Sequence, residues 1–273
     1  MGEKHNTSGS KTLLDRTVAF AYLSGIYLVT FTTNLIGLTN TLRLGKFAGN
    51  ILYYFSNQTR SKIVHNLGLA YGSKLTPKEK NLLSKKVLQN LGKNWAELNF
   101  CAGPFKKRSL GKISIEGIEN LDTALNEGKG VIAVSAHIGN YALIGTKLSK
   151  MNYNFVTVVR DLKTKAGSIA YNKSRQLIEL PSIPTLPEKQ FYKNALKILR
   201  NNGALCLISD ENKRHGGIFV NFFGRKASTA PGPAGLATRT GAKIIPVFMV
   251  RNSDDSQKII IDKEIVWKKI HEL

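Results

Sequence analysis

The sequence predicts an α/β protein with a mostly parallel central sheet flanked by helices, preceded by an N-terminal membrane-associated helix and a helical segment. Three observations support this class. Strand-like and helix-like segments alternate from Lys112 onward. No charged residue occurs from Thr17 to Thr41, and the stretch between these regions has helical rather than strand-like patterns. The predicted organisation is a polar tail (1–16), an anchor helix (17–42), a helical segment (43–112) and an α/β domain (113–273), with 43–273 forming one compact unit.

The anchor region contains enough apolar sequence to cross a membrane, for which about 20 residues suffice. Its second half is more polar, so a helix that spans the bilayer, a helix that lies at the interface and a soluble core helix all remain open. The next charged residues include Arg43 and Lys46, and no acid occurs between the anchor region and Glu79. By the positive-inside rule we expect the rest of the chain on the cytoplasmic side.

The net charge of the chain limits the kinds of molecule that it is expected to bind. The chain of 273 residues has 40 Lys and Arg against 18 Asp and Glu, a net charge of +22. Such an excess predicts a negative partner, which could be nucleic acid, anionic lipid or an acidic protein. Nucleic-acid binding predicts basic residues interleaved with exposed aromatic ones, whereas the aromatic residues here fall in apolar runs, so no nucleic acid is expected. Cys101 and Cys206 lack metal or redox spacing and are expected to be free thiols.

The helical segment contains one clear start signal. Thr76-Pro77-Lys78-Glu79 combines an N-cap threonine, a first-turn proline and a glutamate at the third position. The helix that follows carries large apolar residues at mostly helical spacing, which we interpret as core: Leu82, Leu83, Val87, Leu91 and Trp95.

The α/β region is justified segment by segment. We predict strands where short apolar, β-branched runs occur and helices where the apolar period is longer. The predicted strands are 113–117, 130–136, 154–160, 204–208 and 242–250, with an extended segment at 218–223. The predicted helices are 118–128, one beginning near Asn140, 164–179, 188–201 and 231–240.

His137 is the first candidate for chemistry. It ends the buried strand Val131–Ala136 and precedes a helix. The helix dipole and an apolar setting both favour neutral imidazole, the form that a general base needs. Taken alone, a packed structural histidine is the alternative.

Charged residues follow other strands. Arg160 ends the next strand and Arg175 comes one helix later; they could bind an anion or stabilise an oxyanion, or simply form surface salt bridges. Asp210 and Glu211 follow the strand at 204–208 and could ligate a metal, orient a base or cap a loop.

The segment Gly216–Arg225 has an unusual composition. Gly217 permits an uncommon backbone path, and Phe222 and Phe223 place apolar surface beside Arg225. An ordinary core strand is the alternative. P-loop, GxGxxG and GxSxG motifs and a His/Cys zinc cluster are absent from the sequence.

Together these features resemble the lipid A biosynthesis late acyltransferases, the lauroyl/myristoyl transferase group within the lysophospholipid- and glycerolipid-acyltransferase-like superfamily. The resemblance covers nearly the whole chain, in the right order. It rests on the N-terminal apolar helix, Asn66-Leu67, Ile115-Glu-Gly-Ile-Glu-Asn-Leu, His137-Ile-Gly-Asn-Tyr, Arg160 with Arg175, Asp210, Gly217-Ile-Phe-Val-Asn-Phe-Phe-Gly-Arg and Thr240-Gly-Ala.

The resemblance implies transfer of a fatty acyl chain to a hydroxyl of a lipid A precursor or related glycolipid at the cytoplasmic face of a bacterial inner membrane. The donor would be acyl carrier protein or a coenzyme A thioester, the acceptor is anionic, and no metal or other cofactor is implied. His137 would be the base and Asn140 a positioning donor. Other residues expected to bind substrate are Arg160, Arg175, Asp210, Gly217, Phe222, Phe223 and Arg225.

The sequence departs from the family pattern at one position. The family's His-x4-Asp/Glu pair has a carboxylate that orients the histidine, and Ala142 stands at that position. Ala142 could be an introduced substitution, a natural change with Asp210 or Glu211 (or, less favourably, Glu97) supplying the acid, or the mark of an inactive lipid-binding homologue. We expect a family member with impaired or altered catalysis.

Overall fold

The computed structural model describes residues 7–162, 164–213 and 215–266, with side chains described from residue 17 onward. Its central sheet contains seven strands, and two further strands form a separate hairpin. The sheet strands are β1 (Ser114–Glu116), β2 (Val131–Ser135), β3 (Phe155–Val159), β4 (Ser182–Pro184), β5 (Ala204–Ile208), β8 (Lys243–Arg251) and β9 (Gln257–Ile261). The hairpin strands are β6 (Ile218–Phe222) and β7 (Arg225–Thr229).

The sheet order is β1-β9-β8-β2-β5-β3-β4, and every neighbouring pair is parallel except β8 and β9. The predicted α/β class with a mostly parallel sheet is therefore confirmed. The strands β4, β7 and β9 were not predicted. β4 has only three residues and β7 is polar, whereas β9 carries three consecutive isoleucines that the prediction did not assign to a strand.

Helices cover both faces of the sheet. The α-helices of the described residues are α1 (Thr7–Phe55), α2 (Asn57–Tyr71), α3 (Pro77–Cys101), α4 (Lys106–Gly111), α5 (Ile118–Asn126), α6 (Ala142–Lys150), α7 (Lys165–Leu177), α8 (Glu188–Arg200) and α9 (Gly232–Thr240). In β2, Val131 and Ala133 pack with α5 and α6, whereas Ile132 packs with α8 and α9. This alternation explains why β2 is apolar at successive positions.

Helix α1 begins at Thr7, inside the stretch predicted as a polar tail, and continues past the predicted end of the anchor. From Thr17 to Phe55 it is long and apolar enough to cross a membrane, with a mean hydropathy of 1.4 over the relevant window. Its helical path breaks once, at Gly37, where φ is 77° and ψ is 164°.

The faces of α1 are reversed relative to a helix of a water-soluble protein. Large apolar side chains are exposed, with Phe31 67% and Leu35 74% exposed. The buried face is polar and includes Thr30, Thr33, Asn34 and Thr41. The polar second half noted in the sequence therefore faces protein only in part, because Thr32, Thr39 and Asn40 are exposed. The large apolar side chains of α1 are left without protein cover.

Close packing of α1 on α3 depends on glycines. A Cβ at Gly45, Gly49 or Gly92 would overlap backbone atoms of the opposite helix. The buried face of α3 here consists of Ser84, Leu88, Gly92 and Ala96, so apolar residues at other positions of the helix fall outside the contact. The interpretation of α3 residues as core was therefore wrong for four positions, which are exposed: Leu82, Val87, Leu91 and Trp95. The predicted capping box at Thr76 and Glu79 is present.

Candidate active site

His137 and Asp210 lie at the same edge of the sheet because they follow adjacent strands. β2 and β5 run parallel in register from Val131 opposite Ala204 to Ser135 opposite Ile208. The pairing continues for one further hydrogen bond, from the Ser209 N–H to the Ser135 carbonyl, at 3.0 Å. Parallel strands deliver their carboxyl ends to one edge, so the next residues of each strand meet there.

Asp210 binds His137 through two contacts. Its Oδ1 lies 2.8 Å from His137 Nδ1, and its Oδ2 accepts a hydrogen bond from the His137 backbone N–H at 2.9 Å. An ionised carboxylate only accepts hydrogen bonds, so this contact assigns the ring proton to Nδ1 and leaves the Nε2 lone pair free. The His137 side chain is 39% exposed, so Nε2 is accessible.

Two further groups surround the imidazole. Glu211 Oε1 lies 4.0 Å from Nε2, and the Tyr141 ring meets the imidazole edge-on at a centroid distance of 4.7 Å. Burial, helped by Tyr171 and the two carboxylates, raises the pKa of Tyr141 to about 12. Its hydroxyl therefore remains protonated at neutral pH and can act as a hydrogen-bond donor.

The turn after His137 requires a glycine and is held by a buried amide. Gly139 has a φ of 59°, and a Cβ there would overlap the Met249 carbonyl oxygen. Asn140 is 2% exposed, and its Nδ2 donates to Glu97 Oε2 at 2.9 Å and to the Asn94 carbonyl at 3.2 Å. Asn140 therefore influences the site through the turn that it holds rather than through an exposed face.

Glu97 is the centre of a buried polar cluster beneath this turn. Its Oε2 accepts hydrogen bonds from Arg251 at 2.6 Å and from Gln257, besides the one from Asn140. Asn94 joins the cluster to the turn, because its Nδ2 donates to the Gly139 carbonyl at 2.7 Å. Glu97, considered from sequence as a possible partner of His137, is instead paired with Arg251.

Ala142 is the first residue of α6 and packs against the core beside the sheet. It offers no carboxylate. The Nδ1 position that an orienting acid would occupy is taken by Asp210, which reaches it from the neighbouring strand.

The two arginines have different environments. Arg160 is exposed, and β5 separates its strand β3 from β2, so Arg160 is one strand farther from His137 than the chain order suggests. Arg175 is 8% exposed, and its Nη2 contacts Asp161 at 3.3 Å and also Asn172. Its guanidinium stacks on the Tyr171 ring at 4.7 Å, and Nη1 has no hydrogen-bond partner among the described atoms.

The glycine- and phenylalanine-rich segment forms the exposed β6–β7 hairpin rather than a core strand. Phe222 and Phe223 are each 58% exposed, and their rings meet edge-on at 4.7 Å. Phe223 and Gly224 form the two-residue turn, both with positive φ. Gly217 lies at the base, where a Cβ would overlap the Ser228 hydroxyl, and Arg225 begins the return strand.

The sequence reasoning missed Tyr141 as a neighbour of the imidazole, together with the cluster formed by Asn94, Arg251 and Gln257. Tyr141 follows Asn140 directly and could have been suspected from its position, whereas the cluster joins residues about 150 positions apart. Within the described residues, no group of three or more His, Cys, Asp or Glu is placed to hold a metal ion.

Comparisons with known proteins point in one direction. Residues 9–264 match the family described as bacterial lipid A biosynthesis acyltransferase. A phosphatidylinositol mannoside acyltransferase of Mycobacterium tuberculosis (strain CDC 1551 / Oshkosh) is 29% identical over 163 residues, covering 58% of this chain and 51% of the relative. One from Mycolicibacterium smegmatis is 25% identical over 204 residues, covering 74% of this chain and 67% of the relative.

The chain thus spans about half the length of the M. tuberculosis relative, and the family match extends from α1 to just beyond β9. The match includes every strand of the sheet and both residues of the His137–Asp210 pair. The chain belongs to the bacterial lipid A biosynthesis acyltransferase family.

Proposed function

We propose that this acyltransferase moves a fatty acyl chain from a thioester donor to a hydroxyl group of a phosphorylated glycolipid at a membrane surface. The observation that carries the proposal is the 2.8 Å contact between His137 Nδ1 and Asp210 Oδ1, beside an accessible Nε2. This geometry suits a general base that is held in one tautomer by a carboxylate.

The proposed reaction begins with proton transfer. His137 Nε2 takes the proton of the acceptor hydroxyl as its oxygen attacks the thioester carbonyl. The tetrahedral intermediate then collapses, the carbon–sulfur bond breaks, and the imidazolium returns its proton to the departing thiolate. Asp210 keeps the ring oriented and stabilises the imidazolium, so the carboxylate missing at Ala142 is supplied from β5.

Positive charge for the reaction is proposed to come from Arg175 and Arg160. Arg175 is the stronger candidate for the acceptor phosphate or the developing oxyanion, because its Nη1 is buried without a partner among the described atoms. Arg160 is exposed and forms no ion pair within the described part of the chain, so it is available to an incoming phosphate.

The donor is proposed to be acidic. A net charge of +22 favours encounter with an acyl carrier protein, although a coenzyme A thioester carries negative phosphates as well. The exposed aromatic pair Phe222 and Phe223 gives the acyl chain an apolar surface, and Arg225 lies next to it.

Membrane attachment is proposed to use α1. Support comes from the exposed large apolar side chains of α1 and from the low burial of its most apolar stretch, of which only 22% is covered by protein. Arg43 and Lys46 follow the break at Gly37, which favours placing the α/β region at the cytoplasmic face of the inner membrane.

A second candidate function is a lipid-binding homologue without catalysis, favoured by one observation, the alanine at position 142. Both candidates require the same fold and the same anionic ligand. The two candidates differ only in whether the His137–Asp210 pair catalyses acyl transfer.

The test is acyl transfer by the full chain in detergent, with radiolabelled acyl carrier protein and coenzyme A donors of several chain lengths and extracted phosphoglycolipids as acceptors. His137→Ala is expected to lower kcat by about 10²–10⁴-fold, the usual contribution of a general base. The control is His65→Ala, which removes an exposed imidazole from α2 rather than from the β2 edge. Absence of transfer by wild type with every donor and acceptor would reject the enzyme proposal in favour of the lipid-binding homologue.

A further inference from the structure

The break in α1 opens a cavity of about 370 Å³ between α1, α3 and α4. Its walls include the α1 segment around Gly37 and the rings of Phe100 and Phe105, which stack at 6.3 Å. Arg108 and Lys112 complete the lining. The cavity therefore joins apolar walls to two cationic side chains at the point where the apolar helix changes direction.

The break itself leaves few backbone groups for a ligand to satisfy. Thr41 Oγ1 donates to the Thr33 carbonyl across the break at 2.9 Å, and Asn40 Nδ2 donates to the Ile36 carbonyl at 3.1 Å. One side chain near the break does have an unsatisfied group. Asn34 is 9% exposed, its Nδ2 donates to the Thr30 and Phe100 carbonyls, and its Oδ1 has no partner among the described atoms.

The two cations are unpaired in the described part of the chain. Lys106, on the same short helix, is engaged by Glu179 and the Leu177 carbonyl, whereas no acidic group pairs with Arg108 or Lys112. Arg108 and Lys112 are four positions apart, a spacing that places side chains on the same side of a helical turn. Both are exposed.

We propose that this cavity binds the headgroup of an anionic phospholipid. The phosphate would lie between Arg108 and Lys112, a headgroup hydroxyl would donate to Asn34 Oδ1, and the acyl chains would follow the exposed apolar face of α1. The inference rests on the membrane attachment proposed above, because Gly37 would then lie at headgroup depth: Thr17–Ile36 is 20 residues of helix, about 30 Å. The cavity is separate from the proposed reaction site, because neither His137 nor Asp210 lines it.

The test compares lipid retention by the full chain using native mass spectrometry in detergent, with equal concentrations of phosphatidylglycerol and phosphatidylcholine. The double variant Arg108→Gln/Lys112→Gln is compared with Lys78→Gln/Lys107→Gln, which removes the same charge from exposed lysines outside the cavity. We expect wild type and the control pair to retain phosphatidylglycerol at least tenfold over phosphatidylcholine, and the cavity variant to lose this preference.

Two outcomes would overturn the proposal. Equal loss in both double variants would assign the preference to net charge, and inorganic phosphate competing as strongly as phosphatidylglycerol would assign a free-anion site instead. Thermal unfolding of each variant checks that the fold is intact. Acyl transfer is measured in the same samples: lipid retention without transfer by wild type would reject the proposed function and leave the headgroup site standing.

Discussion

Two carboxylates flank the turn that carries His137, and their surroundings differ. Asp210 lies on the open side, where its side chain is 33% exposed and contacts the imidazole and backbone of His137. Glu97 lies on the buried side, 5% exposed, and contacts Arg251, Gln257 and Asn140. The comparison teaches that one short turn separates two kinds of acid: under the proposed mechanism the exposed Asp210 serves catalysis, and we expect the buried Glu97 to serve stability.

Asp210→Asn should produce the largest effect. An asparagine can offer its amide N–H to Nδ1 and so stabilise the wrong tautomer, and we expect kcat to fall by about 10³–10⁴-fold, as for loss of an orienting acid in a triad. Thermal unfolding should change little, because this carboxylate is partly solvated. If the Asp210→Asn variant loses stability but retains the wild-type kcat, Asp210 serves stability rather than catalysis.

Glu97→Ala tests the buried side. It leaves the Arg251 guanidinium without its main partner at 5% exposure, and we expect a loss of about 3–5 kcal/mol in the free energy of unfolding, measured with denaturant. The double variant Glu97→Met/Arg251→Met is the matched control and should recover much of that loss, since no unpaired charge remains. A single variant as stable as wild type would show that the cluster does not hold the turn.

Ala142→Glu sharpens the comparison by adding a further acid near the turn, besides Asp210, Glu97 and Glu211. The single hydrogen on Nδ1 is already accepted by Asp210, so we expect kcat to change by less than about threefold. In the Asp210→Asn background the same substitution should restore part of the activity if its carboxylate reaches the ring. A gain above about 100-fold in the wild-type background would show that Asp210 does not orient His137 effectively.

Glu179→Gln gives the smallest effect and a pH signature. Lys106 and Lys150 lower the pKa of Glu179 from 4.5 to about 2. Since the folded-state pKa is lowered, the stabilisation is fully present above about pH 4.5 and is lost as the pH falls towards 2. At pH 7 the variant should be destabilised by less than about 1 kcal/mol, because the pair is exposed. Differential scanning calorimetry should show the difference in Tm from wild type shrinking between pH 6 and pH 2; a constant difference would contradict this account.

Much of the fold could be predicted from the sequence because the residue pattern of most strands is visible within a few consecutive residues. Apolar runs such as Val131–Ser135 and Ala204–Ile208 show their strand character within five residues, and the capping box at Thr76 marks the start of α3. The hairpin strand β7 was missed because a polar strand is identified only through its partner, whereas β9 was missed although its three consecutive isoleucines are typical of a strand. The apolar residues of α3 were misassigned because helical spacing reveals a face without revealing what that face meets.

By itself the sequence determined the alternating α/β class, the apolar N-terminal helix and His137 at the end of a strand, since each depends on residues close together in the chain. Only the tertiary structure decided which acid contacts that histidine. Strand order places β5 beside β2 although 68 residues lie between the end of β2 and the start of β5, so Asp210, and not the residue five positions after His137, reaches Nδ1. Pairing of strands is a long-range event that no local pattern encodes, and it is what brings a carboxylate to His137 although position 142 is an alanine.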